Sequence, residues 1–440
     1  MAKQITSMDP SIGTTDDGNK QKPKIYAKDS MDRYGDDLCE VVLTYLSLED
    51  RLRCECVSTQ FRRTAFKSVV DIEITDWLIK QIQVSKQTIR QTMTAIAIKC
   101  PNVETIDCRE IDFRREQHIP EVLAIFRDNC HHLRNIYCYL TPRWGQLLAE
   151  FGPLVTRIGN IISFRDYAAV TVCHRLSQLR VNSLREVFAN NFDIGLVKPV
   201  LKLELDMHYN RTIDNDRLSA FVAHNQCLQS LAVRVCWVNG AEELTEMCGQ
   251  VSRLAQLRRL TLGLLFGIPD SSVVNQCLRT IGVNCKQLHH LSLWLRFSSK
   301  AIDSSLPISL DSLRFCSQLK RLDLDLNEAI DDRLLDPLRH CERLTHLELD
   351  LPTMTANVLK DLHINCPRLK CLRIRNLNNI IDTECLNRIA CLPALKTLVI
   401  VSNHNIHLLD KDFSDFLLLF SANCCLSLHR YCNVNNKADK

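Results

Sequence analysis

The chain repeats one line of text. Cys316-Ser317-Gln318-Leu319-Lys320-Arg321-Leu322-Asp323-Leu324 returns twenty-five residues later as Cys341-Glu342-Arg343-Leu344-Thr345-His346-Leu347-Glu348-Leu349. It returns again, at the same interval, as Cys366-Pro367-Arg368-Leu369-Lys370-Cys371-Leu372-Arg373-Ile374. The shared skeleton is Cys-x-x-Leu-x-x-Leu-x-Leu, and a fixed period in this range marks a solenoid. The closing Leu-x-Leu alternates apolar and polar residues, so its leucines point to one side of a short strand and the residues between them to the other. Each unit therefore supplies one rung of a long parallel sheet. Counting the first apolar residue of each unit gives rungs at Val103, Leu133, Val155, Leu176, Val200, Leu228, Leu257, Leu288, Leu319, Leu344, Leu369 and Leu395.

Length alone would divide 440 residues into two or three domains. A repeat array evades that rule because its core grows by adding rungs. A net charge of +4 gives no nucleic-acid footprint. No apolar run approaches the ~18 residues that span a bilayer; the longest, Leu262–Ile268 and Phe416–Phe420, are core-sized. The chain is expected to be soluble, in the cytoplasm or nucleus. Its 22 cysteines could mean disulfides. However, Cys100, Cys130, Cys173, Cys285, Cys316, Cys341 and Cys366 all stand three residues before a repeat leucine, a place that suits a small buried hydrophobe. They are expected to be reduced thiols.

Residues 1–30 are polar, the composition of a disordered tail. Residues 31–75 change character. Leu38, Val42, Tyr45 and Leu46 recur at helical spacing, Asp36 and Asp37 suit a helix N-terminus, and Ser47 suits an N-cap. Two further short helices are expected through Arg51–Glu55 and from Ser58, the latter carrying Phe61 and Phe66. So small a core gains from a partner. Residues 76–99 form a helical transition, with helices near Trp77–Gln83 and Ile89–Ile98, before the repeats at 100–409. Between strands, Ile213-Asp214, Ile302-Asp303, Ile330-Asp331 and Ile381-Asp382 each place an apolar residue before an aspartate able to cap a helix. Strand–helix–strand crossovers are right-handed, and the product is a curved horseshoe. Residues 410–440 are expected to give a last helix and a cap.

The stretch Tyr34–Ala65, with Leu46-Ser47-Leu48-Glu49-Asp50 and Val57-Ser58-Thr59-Gln60-Phe61-Arg62-Arg63, resembles an F-box. It departs from that pattern where Tyr34-Gly35 stands for Leu-Pro and Ser47 for Pro. Downstream, the cysteine-containing units resemble the leucine-rich repeats of one F-box subfamily. The resemblance implies an α/β leucine-rich-repeat solenoid behind a three-helix F-box. It implies a substrate receptor of a cullin-RING ubiquitin ligase, docking on the Skp-type adaptor through Tyr34, Leu38, Val42, Leu46, Leu48, Val57 and Phe61. Val57 and Leu43 also suit a role in holding the helices together. A protein-binding scaffold outside any ligase is the alternative.

Enzyme chemistry finds little support. Cys424-Cys425-Leu426-Ser427-Leu428-His429-Arg430-Tyr431-Cys432 has metal-ligand residue types, but its spacing fits no common zinc pattern and a cap rung explains it better. Cys54-Glu55-Cys56 is no redox CxxC, and His131-His132 and His289-His290 straddle strands, so their rings diverge. No glycine loop of phosphate-cradling order occurs. A catalytic thiol needs an acidifying neighbour, whereas apolar repeat positions raise thiol pKa. No catalytic residue, metal or cofactor is expected.

Substrate is expected on the polar face of the strands. The second, fourth and sixth residues after each repeat leucine point there: His290, Ser292 and Trp294; Arg321, Asp323 and Asp325; His346, Glu348 and Asp350; Cys371, Arg373 and Arg375; Thr397, Val399 and Val401. Rungs about 4.8 Å apart set Asp323 beside Glu348 and Asp325 beside Asp350. Like charges across a ladder destabilise it, and an uncovered tryptophan beside them marks a binding surface for a basic or Arg-bearing segment. The plainer reading is that Arg373 and Arg375 neutralise these acids.

Overall fold

The computed structural model describes residues 35–430, apart from 85–87, 112, 162–169, 171, 187–199, 208–211, 267–270, 298–308, 328–330, 352–354, 377–382 and 403–424. The chain divides into two compact units, Met1–Arg165 and Asp166–Lys440.

The first unit opens with three short helices, α1 (Asp36–Leu43), α2 (Leu48–Cys54) and α3 (Thr59–Thr64). Each start has a local cause. Asp36 and Asp37 sit in the first turn of α1, where the helix dipole favours carboxylates. The Ser47 and Ser58 hydroxyls accept from Asp50 N and Phe61 N at the heads of α2 and α3. Asp36 also reaches across to α3, accepting from Arg63 Nε at 2.9 Å. Cys39, Leu43, Phe61 and Ala65 form the small core. Arg51, only 6% exposed, laces it together. Its guanidinium donates to the carbonyls of Leu46 (3.1 Å) and Ala65 (2.8 Å) and to Ser68 Oγ (2.8 Å).

The same unit continues through β1 (Asp71–Glu73), α4 (Asp76–Val84), α5 (Ile89–Lys99), β2 (Thr105–Asp107), α6 (Ile119–Asn129), β3 (Asn135–Leu140), α7 (Trp144–Phe151) and β4 (Val155–Ile161). Each strand pairs in parallel with the next. The ladder thus begins at Asp71, inside the span expected to hold only helices. With three residues, β1 is too short to show the repeat pattern, although Ile72 and Ile74 are buried as rung leucines are. The Val155 rung is also offset. Val155 pairs with Ile136, the second apolar place of its rung, and the register between β3 and β4 shifts twice. A 3₁₀ turn at Gly152–Leu154 stands directly before β4, in the place of the usual Cys-x-x lead.

The second unit contains β5 (Gln178–Val181), β6 (Lys202–Asp206), α8 (Asn215–His224), β7 (Ser230–Val238), α9 (Ala241–Ser252), β8 (Arg259–Phe266), α10 (Ser271–Asn284) and β9 (His290–Phe297). It goes on through β10 (Arg321–Leu326), β11 (His346–Asp350), α11 (Ala356–Leu359), α12 (Leu362–Asn365), β12 (Cys371–Asn376), α13 (Thr383–Ala390), β13 (Thr397–Ser402) and β14 (Cys425–Arg430). Here too each strand pairs in parallel with its successor, which is the ladder of a solenoid. The rung leucines are buried in register, Leu291 beside Leu322, Leu347, Leu372 and Leu398. The crossovers vary: the repeat from Leu257 to Leu288 houses α10, of 14 residues, while that from Leu319 to Leu344 returns through a five-residue 3₁₀ turn at Asp336–His340.

The seven repeat cysteines are buried thiols outside any disulfide. Several donate backwards along the ladder: Cys130 Sγ to the carbonyl of Cys100 (3.4 Å) and Cys341 Sγ to those of Leu313 (3.6 Å) and Cys316 (3.7 Å). Burial pushes the thiols of Cys316, Cys341 and Cys366 up to about 12. At the Leu228 rung the same place is taken by Asn225, fully buried, whose Oδ1 accepts from Val200 N at 3.0 Å and whose Nδ2 donates to Phe221 O at 2.9 Å.

Of the four expected caps, Asp214 performs as read, accepting from Arg217 N at the start of α8. Asp331 does not start an α-helix. Its carboxylate accepts from Arg333 N in a turn, and Leu334, Leu335 and Leu338 reach the core from turn and 3₁₀ backbone. Asp303 and Asp382 lie outside the described residues, as does the helix expected after Asp410. The Cys425–Arg430 segment is a rung, matched residue by residue to β13 from Thr397↔Cys425 to Ser402↔Arg430.

Candidate functional site

The strands β7 to β12 build a cavity of about 440 Å³ on the polar face of the sheet. Arg234, Val235, Gly263, Trp294, Asp323, Asp325, Glu348, Asp350 and Arg375 line it. The register brings the expected residues together: Asp325 lies between Trp294 and Asp350, and Asp323 beside Glu348, which faces Arg373.

The wall that holds Trp294 is built by an irregularity. Between Val233 and Cys236 the β7–β8 register slips, so that Arg234 and Val235 together oppose Gly263. Val235 adopts φ 57°, a left-handed conformation that a β-branched residue enters only under strain. Gly263 makes the opposite accommodation. A Cβ there would lie 3.0 Å from Val235 N and 3.2 Å from Trp294 Cε3, so the missing side chain is the space in which the indole rests.

The acids separate into two rows. In the inner row, Asp323 takes His290 Nε2 at 2.8 Å and Arg321 Nε at 2.9 Å. Glu348 takes Arg321 at 3.2 Å, Arg375 at 3.0 Å and Arg373 at 3.8 Å. Burial alone would raise the Asp323 pKa, but the bonds from His290 and Arg321 hold it below the usual range. In the outer row, Asp325 has Arg296 at 2.6 Å, and that guanidinium stands 5.0 Å from the Trp294 ring. Asp350 has no ion pair among the described residues, although Arg375 is its register partner, because Arg375 turns to Glu348. Burial, and then the neighbouring Asp325 charge, push the Asp350 carboxyl up to about 6. Arg373 and Arg375 therefore neutralise Glu348, Arg296 takes Asp325, and of the outer row only Asp350 has no ion pair among the described residues.

Sequence reading missed Arg296, Val235 and Gly263. Arg296 was legible, since it continues the alternation His290, Ser292, Trp294 by one step. The bulge was not, because a run such as Leu231–Val238 reads as an unbroken strand.

On the first unit the three helices present an apolar surface. Leu38 is 48% exposed, Val42 44% and Val57 67%, with Val41 and Tyr45 exposed beside them in sequence. Phe61 is instead buried, 8% exposed, against the expectation that it completes this surface. One turn into α3, it fills the space between the helices. Val57 does not hold the helices together, whereas Leu43 does. Leu46 and Leu48 are half-buried and line a cavity of about 950 Å³ with Leu52, Val70 and Trp77. Tyr34 lies outside the described residues.

No protein-family model matches the chain. No curated protein matches it in sequence. Among solved structures, it is similar to a chain of the TLR13–ssRNA13 complex at 13% identity and TM-score 0.34, covering 88% of this chain and 63% of that one. It is similar to a chain of the yeast Rad7–Elc1 complex at 13% identity and TM-score 0.39, covering 89% and 92%. A chain of the Drosophila Toll–Spatzle complex follows at 14% identity and TM-score 0.31, covering 72% and 49%. Superpositions this loose support no statement about what the chain binds. Among the described residues, no helix is long and apolar enough to cross a membrane.

Proposed function

We propose that the chain is the substrate-recognition subunit of an SCF-type ubiquitin ligase. Its three-helix N-terminal segment docks on the Skp-type adaptor of a cullin-RING assembly, and its repeats hold a protein substrate. The observation that carries this reading is the uncovered apolar surface of Leu38, Val41, Val42, Tyr45 and Val57 on a segment with a very small core. The chain's contribution is proximity, which raises the effective concentration of substrate lysines near a charged conjugating enzyme.

The Trp294 cavity supports the substrate half of the reading. An arginine or lysine of the substrate meets the indole face and the outer carboxylates Asp325 and Asp350.

Co-purification with the adaptor and cullin tests the first half. Leu38→Asp with Val42→Asp changes only exposed side chains and should abolish it while the repeats stay folded. Fully burying each such side chain is worth roughly 1.5–3 kcal/mol, so two suffice to erase a micromolar contact. Leu46→Ala with Leu48→Ala should weaken the same contact. Undiminished co-purification by the folded Asp variant would remove the adaptor assignment and leave a ligase-independent scaffold. For the second half, Asp325→Lys with Asp350→Lys should lose substrate capture and retain the adaptor.

A further inference from the structure

A second charged surface runs along the edge where the chain enters each strand. The residue that follows the first repeat leucine is Arg258, His289, Lys320, Thr345, Lys370 and Lys396 on six successive rungs. Their backbones are bonded in sequence: His289 N donates to Arg258 O, Lys320 N to His289 O, Thr345 N to Lys320 O, Lys370 N to Thr345 O and Lys396 N to Lys370 O. These residues therefore stand one rung apart, about 4.8 Å. Where Thr345 interrupts the row, Arg343 and Arg368, each just before a repeat leucine, supply the charge.

Arg258, Lys320, Arg343, Arg368, Lys370 and Lys396 are all exposed. Among the described residues no carboxylate pairs with any of them, in a chain where most arginines elsewhere on the sheet have acidic partners. His289 reports the resulting field. Burial first, then Lys320, Arg258 and Arg343, depress its pKa. Lys320, Arg343, Arg368 and Lys370 also converge with Thr345 and Pro367 on a shallow cavity of about 540 Å³.

We propose that this ridge is a docking site for an acidic, extended segment of a partner protein. Nothing in the adaptor or Trp294 readings requires it. The charge is a narrow band, the row itself and the residues just before the repeat leucines, with the carboxylates of Asp323 and Glu348 a few residues further along the same strands. That width suits a single peptide chain laid across the rungs. The cavity is walled by threonine, proline and alanine with no aromatic ring, so it offers no surface on which bases stack.

The test uses the full-length chain and a fluorescein-labelled peptide of about ten glutamates, followed by anisotropy. The peptide should bind, lose affinity as NaCl rises, and bind about tenfold or more weakly to Lys320→Glu, Arg368→Glu, Lys370→Glu combined. Asp325→Lys with Asp350→Lys should leave that affinity within about twofold, the additivity expected of separate sites. Circular dichroism and a thermal melt check that the reversal folds; if it does not, the corresponding Gln substitutions take its place. Binding unaffected by the folded variant overturns the proposal. So does tighter binding of an oligo-dT of equal charge, or of anionic vesicles, at the same ridge, which would assign it to nucleic acid or membrane.

Discussion

Asp350 holds its carboxyl where a neutral group fits better than a charged one. Its pKa of about 6 in the folded chain stands above the ~3.9 of an unfolded aspartate. Between those values the native state keeps a proton that the unfolded chain has released. The site's contribution to stability is therefore fully present below about pH 4 and lost as the pH rises through 6. Asp350→Asn should raise Tm at pH 7.5 and leave it unchanged at pH 4; an equal gain at both would show that the charge is irrelevant. Capture of an Arg-bearing substrate should run the other way, weakening as the pH falls from 7.5 to 5.5, because the guanidinium needs the ionised carboxylate. Val235 invites a second test. Its left-handed backbone costs about 1–3 kcal/mol, more than the extra freedom a glycine gives the unfolded chain. Val235→Gly should add about 1 kcal/mol of stability by urea titration. A fall would mean that its half-buried side chain matters more than its φ.

Among the elements, the rung is the unit whose properties were most legible. Cys-x-x-Leu-x-x-Leu-x-Leu states period, strand and facing side at once, so the sequence pattern itself sets Trp294, Asp325 and Asp350 side by side, as the register does. Legibility failed where a rung departs from the pattern for a local reason. The three residues of β1 are too few to repeat anything, the register slips twice between β3 and β4, and Asp331, which reads as a helix cap, accepts from Arg333 N in a turn instead. Phe61 was misread because helical spacing marks an apolar stripe without saying which part of it a neighbour covers. Two measurements check the rung. Cys56 and Cys391 are exposed and should react with a thiol reagent at once, whereas Cys285, Cys316, Cys341 and Cys366 should react only as the ladder opens. Fast labelling of the second group would mean a wrong register. Leu324→Ala, in the fully covered interior of β10, should cost about 2–5 kcal/mol by urea titration.

In the molecule as a whole, the two candidate surfaces lie on different units, so damage to one should leave the other intact. Unfolding should follow the same logic. Rungs touch only their neighbours, and a long array loses cooperativity. Leu324→Ala is expected to move one phase of the urea curve and not the whole; a single sharp transition shifted intact would argue that the chain folds as one block. Arg51 adds a mechanical consequence. Its three bonds, to Leu46, Ala65 and Ser68, bolt the three N-terminal helices to the segment that runs into the first strand. On the proposed reading that joint has to be stiff, since a hinge there would let whatever follows sweep a wide cone instead of holding its cargo at one reach. Lysine at this position keeps the charge but carries a single nitrogen, so it cannot hold all three groups in the same fork. Arg51→Lys would loosen the joint without removing either candidate surface: if the proposed function holds, both partners should still be held, while ubiquitin transfer to the substrate should become slower and less sharply placed.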